Sequence, residues 1–288
     1  MKTISVLVLY NPDINLLKNN IDSVLKQVDY LYVADNTRGG AVAIDEIIKD
    51  YENVSYKYMG GNVGIAKAQN SGILYAIENK YDLVYFLDQD SITPAGVVNK
   101  LKEKMLLINS CGIKVGGVAP MPYNRNTGQI YRERTRDFDE TRIFKDTREV
   151  PYLMSSGSLM NIKLFQDIGM MEEKLFIDGV DLEICWRGSY YSQYRFFMDD
   201  SIKISHMLGE GDKRFLGRTI KISTPFRTYY QFRNYLFFIT RRYVPFRYKT
   251  INFAKYVIKY FYFPLFCEPK WEYFKMINKG IWDGIFHR

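Results

Sequence analysis

Across 288 residues the chain is 47% hydrophobic and 16% aromatic, enough apolar material for a sizeable buried core. Three cysteines, Cys111, Cys185 and Cys267, lie far apart with no CxxC pair, so neither a disulfide framework nor a zinc site is suggested and a reducing compartment fits best. A net charge of +8 admits nucleic acid, anionic lipid or an anionic small substrate, and charge alone does not choose among them.

The apolar run at the start is ended by Asn11-Pro12-Asp13 before it reaches signal-peptide length, which predicts a first strand. Lys255 and Lys259 break the most apolar C-terminal window, so no membrane-spanning helix is expected. The protein reads as cytoplasmic, with room for a peripheral position at the inner face of the membrane. β-rich runs at Ile4–Leu9, Tyr30–Ala34, Val54–Tyr58 and Leu83–Leu87 alternate with helical stretches at Ile14–Gln27, Val42–Asp50 and Ile65–Asn79. That alternation predicts an α/β fold with a mostly parallel sheet and flanking helices. Ligands of such sheets bind outside the carboxyl ends of the strands, which places Tyr10-Asn11, Asp35-Asn36, Gly60–Gly64 and Asp88–Asp90 around one cleft.

Beyond Pro94 a helix to about Ile108 leads to a strand at Ile113–Ala119. Tyr123–Val150 is crowded with charge; a solvated loop or hairpin is favoured over a mobile lid. The pattern resumes at Tyr152–Ser155, turns at Ser156-Gly157-Ser158, and continues through a helix at Lys163–Ile168, a helix at Asp181–Tyr191 and a strand at Tyr194–Met198. A catalytic domain over 1–212, with a nucleotide half to 119 and an acceptor half from 120, then gives way to helices at Tyr229–Tyr243, Lys249–Phe266 and Trp271–Phe286 that form an appendage over 213–288.

Leu83–Asp90 is an apolar strand ending in two carboxylates around one residue. Asp88 and Asp90 would share a side of an extended chain and suit a hard cation and its phosphates, although a helix-capping turn explains the acids too. Gly60–Asn70 is a glycine turn feeding a helix, which suits close approach of a phosphate or, equally, a tight packing turn. Asp35-Asn36 could bind a base or ribose hydroxyl, or close an Asx-turn. Asp178, Asp181 and Glu183 cluster at a helix start, more acid than capping requires, and a cleft carboxylate there suits a general base. His206 could ligate a metal or simply pack.

Together, Val6–Asn11, Asp35-Asn36, Asn62–Ala66 with Asn70, Phe86–Asp90, Ser155–Ser158, and Phe176–Arg187 followed by His206 resemble the inverting glycosyltransferases of family two. The match is closest to their rhamnosyltransferase-like branch, and it implies the GT-A fold. The resemblance implies Asp181 as catalytic base with Asp178 and Glu183 as supporting acids. Val180 stands where many relatives carry an acid, while the D-x-x-D-x-E pattern of the branch is met. It implies nucleotide-sugar contacts from Tyr10, Asn11, Asp35, Asn36, Asn62, Gly64, Lys67, Asn70, Asp88 and Gln89, and acceptor-side roles for Ser156, Gly157, Trp186 and Arg187. Mn²⁺ or Mg²⁺ would be held by Asp90 and His206, with Asp88 as a further ligand. The implied reaction moves L-rhamnose from dTDP-rhamnose to a lipid-linked precursor of a cell-surface polysaccharide. UDP-galactofuranose or another UDP-hexose is the alternative donor.

Basic residues from Arg227 to Lys259 interleave with aromatics from Phe226 to Tyr262, which fits either a membrane-surface contact or a helical core and homo-oligomer interface. A nucleic-acid-binding module would use the same tail but leaves the clustered acids unexplained, so no nucleic-acid partner is expected. A sugar-nucleotide pyrophosphorylase would want a basic glycine-rich loop after the first strand, which Tyr10–Asp13 lacks.

Overall fold

The computed structural model describes residues 1–40, 44–49, 51–124, 142–206, 212–215 and 218–287; of these, 45, 124, 142–143, 205–206, 212–215 and 218–221 are described by backbone only. The first half follows the expected alternation to within a few residues: β1 (Thr3–Leu9), α1 (Ile14–Leu25), β2 (Tyr30–Asp35), α2 (Ile44–Ile48), β3 (Val54–Tyr58), α3 (Ile65–Glu78), β4 (Leu83–Asp88) and α4 (Val97–Ser110). Then come β5 (Val115–Asn124), β6 (Arg142–Phe144), β7 (Thr147–Val150), β8 (Leu159–Asn161) and α5 (Ile162–Ile168). A 3₁₀ turn at Glu173–Leu175 leads to α6 (Val180–Ser192) and β9 (Arg195–His206). The chain ends with β10 (Asp212–Phe215), β11 (Arg218–Lys221), α7 (Pro225–Thr240), α8 (Phe246–Phe266) and α9 (Lys270–Phe286).

Among the described residues one nine-stranded sheet runs β3-β2-β1-β4-β8-β5-β9-β7-β6. The pairings leave only β8 and β7 running against the rest, so the sheet is mostly parallel. β1, β2 and β4 are apolar almost throughout and buried, as central parallel strands covered on both faces must be. β3 is partly exposed because it forms the outer edge. Asp13 caps α1 by accepting from the Asn15 amide at 2.9 Å, and Leu17, Ile21 and Val24 then recur on the buried face of that helix. These residues join Leu7, Leu31, Tyr85, Leu101 and Phe197 in one core, each large side chain contributing about 1.5–3 kcal/mol.

The described end of the charged segment, 142–150, is a hairpin, one of the forms expected of it, but it is not simply solvated: β7 pairs with β9, and Arg148 is buried, bonded to Asp200 Oδ1 at 3.0 Å. The remainder, 125–141, lies outside the described residues. A strand not foreseen from the sequence is β8, which slots antiparallel between β4 and β5, a pairing local pattern does not reveal. The strand expected at Tyr194–Met198 runs on to His206, with an irregularity between Pro120 and Met121 on its β5 partner.

By its contacts the chain forms two compact units. The first takes in Met1–Lys174 and Asp181–Met207; the second takes in Leu208–Arg288 together with Leu175–Val180. The second unit has its own core of Phe232, Tyr262, Phe263, Tyr273 and Ile277. Most aromatics of α7 therefore pack internally, as the helical-core reading requires: Phe232, Tyr235, Phe237 and Phe238 are all buried. No helix among the described residues is long and apolar enough to cross a membrane.

Candidate active site

The loops after β1, β2 and β4 are stitched to one another by polar side chains. Gln89 grips the β1 loop with both ends of its amide, accepting from Tyr10 N at 2.7 Å and donating to Tyr10 O at 3.0 Å. Asn11 N donates to Thr37 Oγ1 at 2.9 Å, and Asn36 N donates to Leu9 O at 2.8 Å. Asn36 Nδ2 then reaches Gly64 O at 3.1 Å, so the entry to α3 is tied to the end of β2. Gly64 has φ +86°, a conformation that favours glycine, and no side chain caps the α3 amides. A helix N-terminus with uncapped amides attracts phosphate.

Asp35 is fully buried and closes the Asx-turn: Oδ1 accepts from Thr37 N at 2.8 Å and Oδ2 from the Tyr56 hydroxyl at 2.7 Å. Next to it, Asn36 Oδ1 is buried with no hydrogen-bond partner among the described residues. At the end of β4, Asp88 is half-buried and Asp90 exposed; the Asp88 carbonyl accepts from Asn20 Nδ2 at 2.8 Å. The Ser155–Ser158 turn docks on the same strand, with Gly157 N on Phe86 O at 2.8 Å and Ser156 Oγ 3.5 Å from Ser91 Oγ. Tyr10, Asn11, Asp35, Asn36, Gly64, Asp88, Gln89, Ser156 and Gly157 are thus joined, directly or through one neighbour, at the carboxyl end of the parallel strands.

Other residues singled out from sequence are engaged elsewhere. Asn70, on the buried side of α3, bonds Met171 through both amide atoms at 2.9 Å and Glu173 at 3.1 Å. Lys67 is exposed on α3, and Asn62 accepts from Gly64 N at 3.1 Å, bracing the glycine turn. Glu183 has no exposed side-chain surface and binds Arg187 with both oxygens, at 2.8 and 3.1 Å. Arg187 also donates to the carbonyls of Ile168 and Met170, so this pair pins α6 to the segment after α5. Trp186 is buried edge-on to Tyr152. Burial pushes the Cys185 thiol well above its usual range and leaves it an inert packing group.

Asp181 sits in the first turn of α6, partly exposed, accepting from Leu182 N at 3.0 Å. Asp178 belongs to the segment that packs in the second unit, 3.3 Å from Arg227 Nε. There Asn234 Nδ2 donates to the carbonyls of Leu175 and Asp178, each at 2.8 Å. Phe176, with φ +65°, stacks on Tyr230 at 4.6 Å. A backbone in that region is strained for a bulky residue and is held here by the ring stack. The His206 side chain lies outside the described residues.

Tyr56, Thr37 and Asn20 were not singled out from sequence. Asn20 carried a readable signal, being a polar residue on the α1 stripe of Leu17, Ile21 and Val24. Tyr56 and Thr37 carried none, since their partners are set by the β2–β3 pairing and the Asx-turn.

Asp88 and Asp90 offer hard carboxylate oxygens on a partly open strand end; among the described residues no group of three or more metal-ligating side chains forms. One or two carboxylates plus phosphate oxygens and water suit Mg²⁺ or Mn²⁺, so the donor set fits such an ion.

Residues 5–169 match the family described as Glycosyl transferase family 2. Over 251 residues the chain is 32% identical to the dTDP-rhamnosyl transferase RfbF of Shigella flexneri, covering 84% of this chain and 81% of that protein. Among solved structures, S. aureus TarS aligns with a TM-score of 0.60 at 16% identity, covering 94% of this chain and 46% of its own. GalNAc-T7, solved with UDP, GalNAc and Mn²⁺, aligns with a TM-score of 0.53 at 12% identity, covering 93% and 57%. This chain therefore spans about half the length of those two structures. The fold is GT-A, and with the strand-end site it defines a glycosyltransferase. The chain belongs to glycosyltransferase family 2, as a rhamnosyltransferase-like enzyme.

Proposed function

We propose that the enzyme transfers L-rhamnose from dTDP-rhamnose, with inversion, to a hydroxyl of a lipid-linked precursor of a cell-surface polysaccharide. The observation that carries the donor is the similarity to the Shigella dTDP-rhamnosyl transferase along most of both chains. UDP-galactofuranose and other UDP-hexoses are the competing donors within the same fold.

The buried Asn36 Oδ1 supports a nucleotide at the end of β2, because it is an acceptor suited to a ribose hydroxyl or a pyrimidine N–H. The uncapped start of α3 at Gly64 would face the diphosphate. A divalent ion held by Asp88, Asp90 and His206 would supply positive charge against the departing diphosphate; GalNAc-T7 is the related fold solved with one. Asp181 takes the proton of the acceptor hydroxyl as its oxygen bonds the anomeric carbon and the bond from that carbon to the diphosphate breaks. This single displacement needs no covalent sugar–enzyme intermediate. Ser156 and Gly157, docked on Ser91 and Phe86, would form the acceptor side of the same strand end.

A thermal-shift comparison tests the reading: dTDP-rhamnose with Mn²⁺ should raise the melting temperature more than UDP-sugars, GDP-sugars or any nucleotide with EDTA. Asp90→Ala should remove the metal-dependent part of the shift. A larger shift with UDP-galactofuranose would replace the donor; no shift with any nucleotide sugar would overturn the assignment of the cleft.

A further inference from the structure

For their length, the two C-terminal helices expose more large apolar side chains than the rest of the described residues. Of 23 large hydrophobic side chains exposed among the described residues, 12 lie on α8 and α9, helices of 21 and 17 residues. On α8 five of the seven exposed side chains, Phe246, Phe253, Val257, Phe261 and Leu265, are spaced by seven, four, four and four residues, with Ile258 and Phe266 beside them. That spacing places them on one stripe about 28 Å long. Phe253 and Phe261 are 62% and 61% exposed, and on α9 Trp271 and Trp282 are 74% and 59% exposed. Patches of this kind mark a surface that something covers.

The surrounding charge indicates what covers it. Residues 246–287 hold seven Lys and Arg against three Asp and Glu, and Arg247, Lys255 and Lys275 are exposed beside the apolar side chains. A symmetric contact with a second copy would bring these positive charges together, and lysine is depleted from protein interfaces. Tryptophan with lysine on an amphipathic helix instead suits the headgroup boundary of an anionic bilayer. Helices of this kind would lie in the headgroup region without crossing the bilayer, since neither is apolar enough to span it. Several basic residues of α7 and α8 take no part in this face: Arg227 pairs with Asp178, Arg233 binds Asn234 and stacks on Tyr230, and Lys259 binds Gln231 beside Phe263.

We propose that the exposed faces of α8 and α9 dock on an anionic lipid surface, with Phe253, Phe261, Trp271 and Trp282 inserting at headgroup level. The proposal is independent of which sugar is transferred. Full-length protein is co-sedimented with vesicles of equal parts phosphatidylglycerol and phosphatidylcholine, and with phosphatidylcholine alone, while light scattering follows the oligomeric state. Partition into the anionic vesicles is expected, weakening as salt rises, with Phe253→Ser/Phe261→Ser reducing it at least about tenfold and Lys255→Glu/Lys275→Glu removing the preference for anionic lipid. Both variants should keep the melting temperature and the nucleotide-sugar shift of the parent, which separates a failure here from a failure of the donor assignment. Vesicle binding that is absent or indifferent to both substitutions would overturn the proposal. So would a dimer that Phe253→Ser/Phe261→Ser splits into monomers, since a second copy would then be the occupant.

Discussion

Asp181 and Glu183 stand two residues apart on α6, and their surroundings give them different work. Glu183 is enclosed and bonded through both oxygens to Arg187, whereas Asp181 is partly exposed in the first helical turn. Removing one member of a buried ion pair leaves the other charge without compensation, so Glu183→Gln should destabilise the fold by about 3–5 kcal/mol, read as a lowered denaturation midpoint. Asp181→Asn should leave that midpoint in place and lower kcat by roughly 10²–10⁴-fold, with the nucleotide-sugar shift intact. Normal turnover in Asp181→Asn would remove it as the base. The spacing of the three acids was plain in the sequence, but their division of labour was not, because it depends on Arg187 reaching both Glu183 and the carbonyls of Ile168 and Met170.

At the level of elements, α7 governs the stretch that precedes Asp181. Asn234 holds the carbonyls of Leu175 and Asp178, and Gly179, with φ +81°, lies so close to Phe238 that an added Cβ would stand 2.6 Å from the ring. Asn234→Ala leaves two carbonyls without their donor and should cost about 1–3 kcal/mol. In the folded fraction kcat should fall while the KM for the donor stays, because the substitution loosens the approach to the base and leaves the β1, β2 and β4 loops untouched. An unchanged kcat would show that α7 is only a packing partner of that turn. The helices α1 and α3 and the strands β1 to β4 were legible from apolar periodicity alone. β8 was not, since three residues carry no period and owe their conformation to β4 and β5 on either side.

For the whole molecule, the division into units cuts across the linear order, because Leu175–Val180 packs with the C-terminal helices. A chain ending at Met207 would keep every strand of the large sheet yet lose Asn234, Tyr230 and Phe238, the partners of that segment. Such a truncated protein should still bind nucleotide sugar in the thermal-shift assay and show no measurable transfer; full activity would mean that the segment holds its shape without α7. Apolar runs ending in Asp, Asn and Gly were sufficient, read along the chain, to specify a parallel α/β sheet with its polar groups at one end and a separate aromatic helical tail, since period and turn chemistry are local properties. The tertiary structure alone assigned the individual tasks: Asn70 and Glu183 as internal braces, Asn20 and Tyr56 as supports of the cleft, and α8 and α9 as the helices whose apolar side chains remain outside. Asn70, Asn20 and Tyr56 act through partners distant in sequence, and Glu183 through a local Arg187 that itself reaches back to Ile168 and Met170, so the period of the chain does not encode these tasks.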